Sequence, residues 1–176
     1  MTVIGITGPT GAGKTTVLKE IEALGGAVID CDAVYHEMLE SDRALQESLE
    51  RAFGPLRDGQ GAIDRKKLGA LVFGDPAKLE RLNAIAQRAV VQRTRQMVKE
   101  NRSRGIGLTA IDAFALLESG LADLCTTTVA VLAPAEARVA RIMAREGIPE
   151  EYARARVAAQ QSDEFYRSAC GYTLVN

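Results

Sequence analysis

Apolar positions along this chain fall into two kinds of pattern, short unbroken runs and longer spaced stripes. The runs occupy residues 3–6, 27–29, 108–111, 127–132 and 172–175. They are rich in Val and Ile and bounded by Gly, Asp or Pro, so each reads as a strand buried on both faces, as in a parallel sheet. The stripes predict helices. Val17, Leu18, Ile21 and Leu24 recur at helical spacing until Gly25-Gly26 stops them. Residues 33–39 continue the pattern, and Ser41 or Asp42 opens a helix carrying Leu45, Leu49 and Phe53 up to Gly54-Pro55. Asp64 is the expected cap of a helix that buries Leu68, Leu71 and Val72. From Lys78 to about Arg102 one long stripe places Leu79, Leu82, Ile85, Ala86, Ala89, Val90, Met97 and Val98 on a common side. A helix from Ala133-Pro134 starts with proline near its first position, where the missing N–H costs nothing. Gly147-Ile148-Pro149 separates it from another, running from Glu150 to about Gln161.

Strand and helix alternate except between the second and third strands, where only helices occur. This predicts an α/β three-layer fold on a five-stranded, mostly parallel sheet, in a single domain over 1–176. The core covers about 1–32 and 106–176, and a helical insertion fills about 33–105. The sequence stops at Asn176, directly after the fifth run, whereas a parallel sheet normally has a helix over its last strand. A C-terminal helix is therefore expected beyond this sequence.

Charge narrows the partners. Lys and Arg total 22 against 23 acidic residues, a net charge of −1, which gives no electrostatic reason to expect nucleic acid or a membrane. Cys31, Cys125 and Cys170 form no C-x-x-C pair and no metal spacing with the single His36, which fits a reduced cytoplasm. The N-terminus enters a strand by residue 3 without a leader pattern, and no apolar run reaches membrane-spanning length.

Directly after the first run stands Gly8-Pro9-Thr10-Gly11-Ala12-Gly13-Lys14-Thr15, matching G-x-x-x-x-G-K-[ST] at every fixed position. Strand, glycine loop and helix come in the order the mechanism needs. Glycines let backbone N–H groups turn inward around phosphate oxygens, and the helix N-terminus adds its positive end. Gly8, Thr10, Gly11, Ala12, Gly13, Lys14, Thr15 and Thr16 are the candidate nucleotide-binding residues. Lys14 is expected to reach the β- and γ-phosphates of ATP, and the Thr15 hydroxyl to hold Mg²⁺. The second run ends in Asp30-Cys31-Asp32, at the strand end where ligands gather in an open sheet. A helix cap accounts for one of these carboxylates and not both, which leaves Asp32 as the candidate for chemistry. Arg138, Arg141 and Arg145 lie on adjacent turns of one helix face. They read either as a solvated stripe or as a cationic lid over ATP spanning about 138–162, and phosphoryl transfer calls for the second. No N-K-x-D guanine reader and no paired acids at the end of the third strand point to a GTPase or a motor. A small kinase needs a phosphate loop, a carboxylate near the acceptor hydroxyl and a mobile cationic lid.

In this combination the chain resembles the dephospho-CoA kinase family. The family opening T-G-x-x-x-x-G-K-[ST]-T is Thr7 to Thr16 here, and V-I-D-x-D is Val28-Ile29-Asp30-Cys31-Asp32. The helical motif is carried by Ile63-Asp64-Arg65, Leu68, Val72-Phe73 and Asp75-Pro76. The next is carried by Asp112, Leu116, Leu117, Glu118, Ser119 and Gly120, and the lid by Arg141/Arg145 with Arg156/Gln160. Three sites depart from the family: Gln87-Arg88 replace His-Pro, Phe114 followed by Ala115 replaces a proline, and His36 replaces an arginine. The resemblance implies transfer of the γ-phosphoryl of ATP to the ribose 3′-hydroxyl of dephospho-CoA, with ATP and dephospho-CoA as small-molecule partners. It gives Asp32 the acceptor hydroxyl, gives Lys14, Arg141 and Arg145 the transferring phosphoryl, and makes Asp112 an outer partner of Mg²⁺. The helical insertion, Arg65 included, is then the acceptor-binding part. The rivals are another small-molecule or nucleoside monophosphate kinase and a catalytically weak nucleotide-binding relative.

Overall fold

The computed structural model describes residues 1–113 and 115–176. Its sheet has five strands, β1 (Thr2–Thr7), β2 (Ala27–Asp30), β3 (Leu108–Asp112), β4 (Thr127–Leu132) and β5 (Tyr172–Val175), in the order β2-β3-β1-β4-β5. All five fall on the apolar runs. β1 lies in the middle, parallel to β3, with Ile6 opposite Asp112, and parallel to β4, with Thr7 opposite Ala130; β4 is parallel to β5. Neighbours that are not consecutive in sequence must be joined by crossovers, which the helices supply. The helices are α1 (Lys14–Ala23), α2 (Cys31–Ser41), α3 (Arg43–Phe53), α4 (Arg65–Val72), α5 (Pro76–Ser103), α6 (Ala135–Glu146), α7 (Glu150–Ala158) and α8 (Asp163–Ala169). Among the described residues no helix is long and apolar enough to cross a membrane.

The chain divides into two compact units, Met1–Ile29 with Val98–Asn176, and Asp30–Met97. In the sheet unit, Ile6, Ala110 and Val131 of three adjacent strands pack with Leu18 and Ile21 of α1 and with Ala12. Ala12 belongs to the glycine loop and is fully buried, so the loop is anchored in the core by a methyl group. α6 and α7 form a hairpin with its own small core of Val139, Ile142 and Ala153, flanked by Met143, Ile148 and Val157.

The helical unit buries Val34, Met38, Leu45, Leu49, Leu56 and Leu68, among others. Its helices start where aspartates stand. Asp30 accepts hydrogen bonds from the Asp32 and Ala33 N–H groups, Asp42 from Leu45, and Asp64 from Lys66 and Lys67, each satisfying N–H groups that have no partner inside the helix. Asp75 accepts from Ala77 and Lys78 at the start of α5, where Pro76 fits as first residue because it has no N–H to satisfy.

Several local expectations are corrected. Leu71 is exposed while Leu68 and Val72 are buried, because α4 has only two turns and its inward direction runs through the i, i+4 pair. Pro134 is the N-cap of α6, one position earlier than expected. The helix from Glu150 ends at Ala158, short of Gln161. α8 was not anticipated: Ser162 caps it by accepting from Phe165 N–H, with Asp163 and Glu164 in its first turn. The inward side of α5 also carries two polar residues among its apolar ones. Thr94 is fully buried against Cys31, with Oγ1 3.6 Å from Sγ, and buried Asn101 donates to Thr109 Oγ1 at 3.3 Å.

Burial in α4 gives a paired test. Leu68→Ala is expected to cost about 2–5 kcal/mol of unfolding free energy, and Leu71→Ala less than about 1 kcal/mol, as read from urea midpoints of the two variants. Equal losses would contradict the assigned face.

Candidate active site

A phosphate loop has to present N–H groups, so its carbonyls must point away and be satisfied elsewhere. Here successive carbonyls accept hydrogen bonds from side chains. Lys14 Nζ donates to Gly8 O at 2.7 Å and more weakly to Pro9 O at 3.4 Å. Arg138 Nε donates to Thr10 O at 3.1 Å. Arg141 Nη1 donates to Gly11 O at 3.1 Å and to Ala12 O at 3.3 Å, and Ala12 O also accepts from Asn176 Nδ2 at 3.0 Å. Three cations and an amide therefore hold the carbonyls of the turn between Gly8 and Ala12.

The glycines are required by this shape. Gly8 has φ 132°, and a Cβ there would lie 2.1 Å from the Val131 carbonyl oxygen of β4. Gly13 has φ 101° and is the N-cap of α1, with no side chain to cap the first N–H groups of that helix. L-residues with side chains rarely adopt such angles. A helix start without a side-chain cap carries the positive end of the helix dipole, which favours an anion there. Thr15 and Thr16, in the first turn, are exposed. Asp112 ends β3 beside Ile6 of β1, one strand over from the start of the loop.

The arginine stripe divides two ways. Arg138, only 5% exposed, and Arg141 both reach the loop. Arg145 instead donates to Glu146 Oε1 at 2.7 Å, and Arg156 donates to Oε2 of the same carboxylate. These bonds hold the Glu146 carboxyl below its usual range. Arg154 binds Glu136 through two nitrogens, at 2.7 and 2.8 Å, and Glu150 at 2.8 Å, tying α6 to α7.

In the helical unit, Asp30 is consumed by its cap. The Asp32 carboxylate, on the first turn of α2, takes no part in that cap and is exposed. His36 stands one turn later, on the same face, and its Nε2 is 3.0 Å from Arg65 Nη2 on α4. Because a guanidinium only donates, the imidazole nitrogen in this bond is the acceptor. Burial pushes the neighbouring Tyr35 phenol up, partly offset by the positive charge of Arg65. A cavity of about 300 Å³ in this unit is lined by Met38, Leu45, Ile85, Arg88 and Arg93.

The family model for dephospho-CoA kinase matches residues 2–176. The chain belongs to the dephospho-CoA kinase family. A dephospho-CoA kinase of Corynebacterium diphtheriae is 36% identical over 177 residues, spanning all of this chain and 88% of that relative. A Thermus thermophilus protein of known crystal structure is 35% identical, with a TM-score of 0.76 over 99% of this chain and 88% of that one. A shikimate kinase of Acinetobacter baumannii shares the fold at 19% identity, with a TM-score of 0.52 over 100% of this chain and 84% of that one. One architecture thus serves kinases of different names, and fold alone does not select the acceptor.

Set against the dephospho-CoA kinase pattern, the departures sit in identifiable places. His36 replaces the family arginine and is met by the guanidinium of Arg65. Gln87 and Arg88 lie on exposed positions of α5, and Arg88 borders the cavity; Phe114 lies outside the described residues. Three loop contacts were missed from sequence. Arg138 stood only as one member of a stripe, Gln160 only as part of a lid pattern, and Asn176 as the residue after a strand. Spacing can place arginines on a face, but it cannot say which of them turns inward.

Two outcomes test this geometry. Gly8→Ala is expected to remove nucleotide binding in a titration and to lower stability by more than about 2 kcal/mol, since the clash is with backbone that cannot swing away. Glu146 concerns the arginine network. A carboxylate with a lowered folded-state pKa stabilises the fold above its unfolded pKa, and that contribution is lost as pH falls through the folded value. The Tm difference between the wild-type chain and Glu146→Gln should therefore be present at neutral pH and shrink away in acid, as the pH falls through the lowered folded-state value of this carboxyl.

Proposed function

We propose that this protein transfers the γ-phosphoryl group of ATP to the ribose 3′-hydroxyl of dephospho-CoA, giving coenzyme A and ADP. The observation that carries this reading is the glycine loop whose Gly8 to Ala12 carbonyls are bonded by Lys14, Arg138, Arg141 and Asn176, in a chain that matches the dephospho-CoA kinase family along its length. Gly8, Thr10, Gly11, Ala12, Gly13, Lys14, Thr15 and Thr16 form the triphosphate site. The hydroxyl of Thr15 and the carboxylate of Asp112 are hard oxygen donors of the kind Mg²⁺ takes, so the donor set fits that ion. Bound there, Mg²⁺ neutralises charge on the β- and γ-phosphates.

The roles of the side chains follow from their chemistry. Asp32 stands two residues past the end of β2, at the carboxyl edge of the strands, where open sheets collect ligands. Its carboxylate orients the acceptor hydroxyl and receives its proton as the oxygen–phosphorus bond forms. Lys14 and Arg141 stabilise charge on the equatorial oxygens of the transferring group, and ADP leaves with the bonding pair. Arg145 joins them by exchanging Glu146 for phosphate, a change open to an exposed ion pair. The helical unit holds the acceptor. Its cavity supplies apolar wall for a pantetheine-like arm and guanidinium groups for phosphate, with Arg65 a further donor. The helix pair within about 138–162 acts as the lid, and the reaction belongs to the cytoplasm, without a nucleic-acid or membrane partner.

Incubation with Mg-ATP and dephospho-CoA is expected to yield a product heavier by one phosphoryl group, and a panel of other hydroxyl acceptors, shikimate and nucleoside monophosphates included, none. Asp32→Ala and Arg141→Ala should each lower kcat by roughly 10²–10⁴-fold with an unchanged circular dichroism spectrum, and Lys14→Ala should lose ATP-dependent turnover. Near-normal turnover in any of these purified variants would remove that residue from the mechanism.

A further inference from the structure

Thr10 is held at both of its backbone polar groups. Its N–H donates to Gln160 Oε1 at 2.8 Å, and its carbonyl accepts from Arg138 Nε at 3.1 Å. The circuit closes because Arg138 Nη2 donates to the same Gln160 oxygen at 2.9 Å. Two N–H donors converge on one oxygen, so the amide orientation of Gln160 is dictated: its NH₂ group in that place would face donors only. Arg138 lies in the first half of α6 and is almost wholly buried, while Gln160 is half-buried two residues beyond the end of α7. The α6 backbone presses on the loop at the same point, since a Cβ on Gly11 would lie 2.9 Å from Arg138 O.

We propose that Arg138 and Gln160 form a clamp on the Thr10 peptide that sets the loop in its nucleotide-receiving shape. Arg138 is thereby a positioning residue for ATP, and the lid hairpin is coupled to nucleotide affinity. The proposal rests on the kinase reading above. Arg138 stands outside the R-x-x-x-R and R-x-x-x-Q lid positions, which are Arg141/Arg145 and Arg156/Gln160, so its place here is a property of this chain's geometry. A buried guanidinium is retained only where its donors are used, and two of them are spent on Thr10 O and Gln160. Burial pulls the Arg138 pKa down, and the negative charge of Asp163 works against that, so the group stays a cation. Because α6 and α7 are joined by their own apolar core and by Arg154 of α7 on Glu136 of α6, Arg138 and Gln160 are carried by one hairpin. Displacing the hairpin therefore strains the Thr10 peptide. A loop already fixed in the receiving conformation spends less ordering entropy on binding, so the clamp should act on ATP and not on the acceptor.

The test uses the full chain, ATP titration by calorimetry and steady-state kinetics with both substrates. Gln160→Ala is expected to weaken ATP binding about tenfold and to raise KM for ATP in step, with KM for dephospho-CoA within about twofold of wild type. Gln160→Glu should recover most of the loss, since a carboxylate accepts from both donors. Arg138→Ala should lose at least as much affinity, and adding Gln160→Ala to it should cost little more, because the two share one interaction. If Arg138→Ala fails to fold, the Gln160 pair decides alone. Unchanged ATP affinity in Gln160→Ala, equal rises in both KM values, or no recovery in Gln160→Glu would overturn the clamp while the kinase reading stands. A wild-type chain that binds no ATP would overturn both.

Discussion

Peptide groups are dipoles, and a turn that offers several N–H groups to one anion must point the matching carbonyls somewhere they can be satisfied. Much of the sheet unit can be understood as the solution to that constraint. Lys14 folds back over the first carbonyls of the loop, Arg138 and Arg141 come from α6, and Asn176 arrives from beyond β5. The donors are spread over more than 160 residues of sequence, yet they meet on a stretch of five. The fold brings them there: β1, β4 and β5 lie side by side, so the loop after β1, the helix after β4 and the residue after β5 leave the sheet at neighbouring points.

The same constraint explains where cost has been accepted. Arg138 is a charge almost out of water, an expensive arrangement unless its donors are filled. Gly8, Gly11 and Gly13 adopt angles that side chains resist, and their missing Cβ atoms make room for Val131, for α6 and for Asn176. Ala12, between two of these glycines, places its methyl group in the hydrophobic core. The loop is therefore fixed both by packing against the core and by hydrogen bonds to its carbonyls.

The helical unit follows a different logic. Its helices are started by aspartates, and one of these, Asp30, is the first residue of the D-x-D motif and caps the helix that follows it, leaving Asp32 exposed one turn before His36. Where the dephospho-CoA kinase pattern has an arginine, this chain has His36, with the guanidinium of Arg65 from another helix bonded to it. Arg88 adds a second guanidinium at a position where the family pattern has proline, on the wall of the cavity.

The sequence alone determined the five strands, most of the helices and the glycine loop between the first strand and helix, because each rests on short-range chemistry: β-branched runs, aspartate caps, and glycines where the backbone takes positive φ. It also singled out Asp32 from Asp30, since a single cap needs a single carboxylate. Other features were decided only by tertiary structure. The three arginines of α6 look alike in spacing, but Arg138 turns inward because Gln160 and Thr10 supply acceptors there, whereas Arg145 turns outward because Glu146 is its nearest acid. Leu71 is exposed because two turns of α4 bury one row and not two. Asn176 and Gln160 bear on the loop through contacts spanning 164 and 150 residues. Local pattern does not encode which distant acceptor a donor meets, because that depends on how the strands are ordered in the sheet, and strand order is set by the packing of the whole core.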